Sequence, residues 1–286
     1  MGIDIHVFNF LKFCTRNNEP LGKTLTLGRQ GNHVSWTDPE TGLVDSYCEP
    51  MLKKQFKATS VMSLDASDYE NATFVQDLNK SWECKDLISH KFKTIIDAGT
   101  LEHVFNVPQA LESVANACEL GGQIIHIQNH SDFSGHGFWQ FSAELFQRWY
   151  SKENGFADLE IFIAPYYEKN FWYRCLPTNG INRLELSGRQ IPQSYILVRA
   201  KKIKVPKQYS CYQSDYVSIW NNYSEKKYGD NKKSFIKTKK TNFVTIKRAI
   251  KLLIPSKIKR YIRSNFFKWQ HEYLIKENVK KILLDK

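Results

Sequence analysis

The chain has 286 residues, 42% of them hydrophobic and 14% aromatic, and a formal net charge of +12. A sizeable core is within reach, which excludes a disordered or fibrous chain and fits one domain of about 200 residues with an appendage, or two small domains. The basic excess lies beyond about residue 201, whereas residues 1–200 are slightly acidic, so any polyanionic partner would meet the C-terminal part.

In chain order, MGIDIHVFNFLKF carries Asp4 and His6 in its apolar stretch and lacks a small-residue cleavage site, so it does not read as a secretory signal. Gly2 lacks the Ser or Thr at position 6 that myristoylation needs. TLTLGRQGN (24–32) is a strand running into Gly28, Arg29 and Gly31. The glycines do not make G-x-G-x-x-G, so the stretch reads either as a plain strand exit or as an altered nucleotide cradle. SVMSLD (60–65), TFVQDLN (73–79) and FKTIIDAG (92–99) follow as strands. A helix starts at Asn106-Val107-Pro108 with Leu111, Val114 and Cys118 on one face, and Gly121-Gly122 is its stop signal. QIIHIQ (123–128), DLEIFIA (158–164) and QSYILVRA (193–200) are further strands; Tyr166, Tyr167, Phe171, Trp172 and Tyr173 lie in the connection between the last two. Strands alternating with helices imply an α/β fold with a largely parallel sheet. The composition shift places a domain boundary between 1–200 and 201–286.

Three strands end in an acid, giving Asp65, Asp77 and Asp97. Ligands of open parallel sheets bind at the carboxyl ends of the strands. An acid after the second strand suits two ribose hydroxyls, one after the third an adenine amino group, and one after the fourth a cationic group. Together, the strand with Gly28, SLDASDYENATFVQDLN, IIDAGTLEHVFNVPQAL and GGQIIHIQ resemble class I S-adenosylmethionine-dependent methyltransferases, including methyltransferase-like proteins of surface-polysaccharide pathways. The resemblance covers about residues 20–200. It implies a Rossmann-like, doubly wound sheet of about seven mostly parallel strands with the last antiparallel, and S-adenosyl-L-methionine held by Gly28, Arg29, Asp65, Asp77, Asp97 and Glu102. The sequence departs from the family's usual first loop, which carries an acid: Leu27 or a neighbour takes the acid's place, weakening the hold on the cofactor's ammonium, and Arg29, following Gly28, is a partner for its carboxylate instead.

The stretch HIQNHSDFSGHGFWQFS follows the fifth strand on the ligand side. His136 and His130 are candidate general bases for a hydroxyl acceptor, Gly135 and Gly137 allow close backbone approach, and Phe138 and Trp139 are candidate walls of the site. Glu102 also reads as structural, bonding the loop after the fourth strand. His103, His126, His130 and His136 match neither helix-face nor finger spacing, and no metal is expected. Residues 243–269 break at Pro255 into two basic amphipathic pieces, suited to an anionic membrane surface or to packing on the main domain. The six cysteines form no C-x-x-C pair and read as reduced thiols. The expectation is a cytoplasmic protein, free or peripheral at the cytoplasmic membrane face, methylating a small or glycan-like acceptor. A non-catalytic methyltransferase-like module and an RNA methyltransferase are the alternatives, nucleic acid being the weaker partner.

Overall fold

Period-two alternation of apolar residues sets the architecture. Ile95, Ile124, Ile161 and Val198 are buried on one side of a central sheet, and their neighbours Ile96, Ile125, Phe162 and Leu197 on the other. The computed structural model describes residues 2–176, 193–214, 216–217, 219–220 and 279–284. In chain order the elements are β1 (Gly2–Ile3), α1 (Ile5–Cys14), β2 (Gly22–Leu27), β3 (Gly31–Asn32), α2 (Glu49–Phe56), β4 (Ala58–Asp65), β5 (Phe74–Val75), α3 (Lys85–Ser89), β6 (Phe92–Ala98), α4 (Val107–Ala117), β7 (Cys118–Ser131), α5 (Ala143–Trp149), β8 (Phe156–Pro165), β9 (Phe171–Cys175), β10 (Ser194–Lys202) and β11 (Val279–Leu283).

The large sheet runs β11-β9-β8-β10-β7-β6-β2-β4-β5. From β5 to β7 every pairing is parallel, and β10 is antiparallel to both its neighbours. The fold is therefore Rossmann-like α/β, with seven strands of which one is reversed, as expected. Two strands beyond those seven, β9 and β11, extend the edge past β8, each antiparallel to its neighbour. Helices α3, α4 and α5 cover one face through Leu87, Leu111, Val114 and Phe146; α1 and α2 cover the other through Phe10, Leu11, Met51 and Leu52. Asp4 starts α1 by accepting the amides of His6 and Val7, each at 2.9 Å.

Three local expectations need correction. The strand expected over 73–79 is only Phe74–Val75, because the Gln76 side chain turns to accept the amides of Glu83 and Cys84 and Asp77 closes a turn onto the Asn79 amide. The helix ends at Ala117 and not at Gly121-Gly122, since Cys118 already pairs with Phe92 and the Lys202 ammonium caps the Ala115 and Cys118 carbonyls at 2.6 and 2.8 Å. The aromatic connection contains a strand, β9, with Trp172 fully buried.

At the expected domain boundary, β10 continues to Lys202 and Ile203 donates to the Gly155 carbonyl at 2.8 Å. Tyr209 stacks on Trp149 at 5.1 Å, and Arg148 Nε donates to the Tyr212 carbonyl at 2.7 Å. The amphipathic pieces expected over 243–269 lie outside the described residues. Among the described residues, no helix is long and apolar enough to cross a membrane.

Candidate functional site

The parallel strands deliver their carboxyl ends to one edge in register: Leu27 pairs with Leu64 and Asp97, and Asp97 with His126. Side chains lock these ends together. The Leu27 carbonyl accepts from Thr100 Oγ1 and from Gln30 Nε2, both at 2.6 Å, and Gly28, at a φ of 72°, donates to the Leu64 carbonyl at 2.7 Å.

Asp97 is fully buried. Its Oδ1 accepts the amides of Thr100 and Leu101 at 3.1 and 3.3 Å, and its Oδ2 accepts from His126 Nδ1 at 2.6 Å. Tyr150 lies 2.5 Å from His126 Nε2, and burial holds its phenol well above the ordinary range, so its hydroxyl donates to that nitrogen. The carboxylate thus fixes the short turn Leu101–His103 and with it the aim of Glu102, acting through the turn and not by facing a cavity.

The other predicted cofactor residues are spread along the edge. Asp65 is half-buried, with Oδ1 accepting the Ala66 amide at 2.7 Å. Asp77 lies one loop further, its carboxyl held below the usual range by Asn79. Arg29 donates from Nε to Glu49 at 2.8 Å and from Nη1 to the Glu70 carbonyl at 2.7 Å, with its guanidinium 3.9 Å over the Tyr47 ring. It ties the loop after β2 to the loop after β4.

Beside β6, β7 and β10 opens a cavity of about 700 Å3, lined by Glu102, His103 and His136 together with Asp132, Tyr166 and Tyr195. Glu102 has a side chain 3% exposed, its Oε1 lying 3.7 Å from His136 Nε2 and 4.0 Å from His103 Nε2. Burial, helped by the Asp97 charge, pushes its carboxyl up to about 8. Burial likewise pulls the His103 imidazole down, aided by His136.

The loop carrying His136 reaches this place through backbone contact. Phe138 and Trp139 donate to the Glu102 carbonyl at 2.6 and 3.3 Å, and Asn129 Nδ2 reaches the His136 carbonyl at 3.4 Å. Gly137 permits the approach: its φ is 74°, and a Cβ there would lie 2.7 Å from the Glu102 oxygen. Phe138 and Trp139 do not wall the cavity; their rings pack on Phe105, and Trp139 Nε1 donates to the Val104 carbonyl. His130 is not brought to His136. Its Nδ1 donates to the Phe141 carbonyl at 2.8 Å, and it borders a separate cavity of about 560 Å3 with Ser142, Glu144 and Arg148.

Among the described residues, eight buried side-chain atoms lack a partner, and five belong to Gln30, Glu49, Glu102, Gln128 and Ser194. All five sit at or beside the carboxyl edge of the parallel strands; Ser194, for instance, pairs with Ser131 at the end of β7. Unsatisfied polar groups gathered at one edge mark a place built to bind. The gathering of Glu102, His103 and His136 was not foreseeable from spacing; the only local signal was the LEH triplet.

No family model and no curated protein matches the sequence. Similar solved structures include TehB from Haemophilus influenzae, at 13% identity over 68% of this chain and 61% of that one, with a TM-score of 0.37. N-methyltransferase NodS from Bradyrhizobium japonicum, in complex with S-adenosyl-L-homocysteine, is 10% identical over 70% and 87%, at a TM-score of 0.40. Phosphoethanolamine N-methyltransferase 2 from Haemonchus contortus, in complex with S-adenosyl-L-methionine, is 11% identical over 69% and 52%, also at 0.40. Those ligands and acceptors are those proteins' own. The strand order by itself carries the fold.

Proposed function

We propose that the chain transfers a methyl group from S-adenosylmethionine to a hydroxyl of a small or glycan-like acceptor. The observation that carries this reading is the strand order β5-β4-β2-β6-β7-β10-β8 with its single reversed strand, the arrangement implied by the sequence resemblance. The orphaned polar atoms of Gln30, Glu102 and Gln128 at the strand ends fit a polar cofactor. Asp65 is the residue for the ribose hydroxyls, and Asp77 lies on the adenine side. Bound there, S-adenosylmethionine supplies a methyl group on a sulfonium, and its in-line displacement asks the protein chiefly for alignment.

The cavity suits the acceptor. Phe133, Tyr166, Tyr167 and Tyr195 give flat apolar faces, and Asn129, Asp132 and Gln193 give polar contacts, a mixture that fits a hydroxylated ring. Among the described residues no lysine or arginine lines it, so that lining offers a nucleic-acid backbone no lysine or arginine partner. His136, exposed at the rim, takes the acceptor's proton. The basic segment 243–269 suits an anionic membrane surface, which would favour a lipid-linked acceptor. One observation favours the second reading, a module without catalysis: Arg29 is already committed to Glu49 and the Glu70 carbonyl and is not free for a cofactor carboxylate.

The test is methyl uptake from labelled S-adenosylmethionine by nucleotide-activated sugars, lipid-linked sugars and RNA. Uptake by a sugar is expected, lowered about 100-fold to 10,000-fold in His136→Ala with cofactor affinity unchanged. Uptake by RNA alone, or equal losses in His136→Ala and His130→Ala, contradicts the reading.

A further inference from the structure

We propose that Glu102, His103 and His136 bind a divalent first-row transition cation at the mouth of the large cavity. The inference rests on side-chain geometry and goes beyond methyl transfer, standing whether or not that is the activity. One ligand atom from each residue lies within 4.8 Å of the other two. Around an ion with bonds of about 2.0–2.2 Å, ligand atoms sit roughly 3–4 Å apart, so small rotations of the two imidazoles close the set.

The freedom for those rotations is distributed in the right way. His103 and His136 are 44% and 57% exposed and stand edge to face at 5.0 Å, whereas Glu102 is held almost wholly inside. A second, independent observation points to a ligand: Glu102 Oε2 is buried with no partner. A carboxylate in such a place calls for a cation, and among the described residues the cavity is lined by Asp4 and Asp132 and by no lysine or arginine. The backbone around the ligands is set independently of any ion. Asp97 holds the turn bearing Glu102 and His103, and the Glu102 carbonyl anchors the loop bearing His136.

Ligand chemistry narrows the ion. Two imidazole nitrogens with one carboxylate suit zinc, iron, cobalt or nickel, and less well magnesium or calcium, which take oxygen ligands. Three protein ligands leave coordination positions open, and here they face the cavity, where an oxygen of an acceptor can take one. With the ion present, His136 serves as its ligand, and the proton of a coordinated hydroxyl is made acidic by the metal instead.

The experiment uses the full chain, free of any affinity tag and stripped with chelator, titrated with Co2+, Zn2+ or Mg2+ alone. The expected result is one Co2+ or Zn2+ per chain, with visible Co2+ absorption bands that change on binding, and much weaker Mg2+ binding. His103→Ala and His136→Ala, both exposed and so tolerable to the fold, each lower Zn2+ affinity by about 100-fold or more, as does Glu102→Gln. His90→Ala, remote from the cavity, binds as the unmodified chain does. Failure of both Co2+ and Zn2+ to bind, or binding retained when His103 and His136 are replaced together in a chain with an unchanged thermal melt, overturns the proposal.

Discussion

Glu102 costs the metal-free protein stability, and the cost has a sign. Its carboxyl keeps its proton up to about 8 against an ordinary value of 4.5, because burial and the Asp97 charge disfavour the carboxylate. The unfolded chain releases that proton near 4.5 and the folded chain only near 8, so its contribution to stability falls as pH rises between these values and levels off above. Glu102→Gln abolishes that part of the slope. Thermal melts of chelator-treated protein from pH 5 to 8 should show a steeper decline for the unmodified chain; parallel declines would contradict the burial argument. Stability given up at one buried acid is what a binding site costs. At this scale the sequence was half legible. Asp97 was visible as a strand-end acid, but its enclosure by His126 and Tyr150 depends on pairings across the sheet and on a helix far along the chain. Glu102 was visible in its triplet, while His136 lies beyond all of α4 and β7.

Among elements, the loop between β7 and α5 is decided by Gly137. An Ala there would meet a left-handed backbone and the Glu102 carbonyl oxygen at 2.7 Å. Gly137→Ala is expected to cost about 1–3 kcal/mol and to free the Phe138 amide. Hydrogen exchange at that amide checks it, and unchanged protection would show that the loop docks by other contacts. Toward the other end of β10, Arg199 joins Glu160, Gln123 and Glu19 and is 5% exposed, whereas Lys201, on the same strand, is 28% exposed. Arg199→Ala should therefore cost about 3 kcal/mol and Lys201→Ala under about 1 kcal/mol, read from denaturant midpoints; equal losses would mean that the buried network is no tighter than a surface pair. The strands with near-continuous apolar runs, β6, β8 and β10, were legible for the same reason that they are central: each must present apolar residues to two covered faces. The short β5 was over-read because apolar Val75 continues the pattern while Gln76 leaves the ladder. The edge strand β9 was missed because its aromatic stretch, with only Trp172 and Cys175 buried, offers no continuous apolar run.

For the whole molecule, the parallel sheet with one reversed strand concentrates unpaired polar groups at one edge and leaves the opposite end to salt bridges and a capped helix. Charge follows the same division along the sequence, with the basic excess beyond about residue 201 and an acid-lined cavity in the earlier part. The account stands on that edge binding a nucleoside-bearing sulfonium cofactor. Calorimetric titration of the full chain with S-adenosylhomocysteine, which binds without turning over, tests this most directly. One equivalent is expected to bind, with affinity lowered about tenfold or more in Asp65→Ala, the loss of a charged hydrogen bond being worth about 1.5–3 kcal/mol. No heat and no protection from thermal unfolding at millimolar ligand would contradict the account and leave the chain a methyltransferase-like fold put to another use.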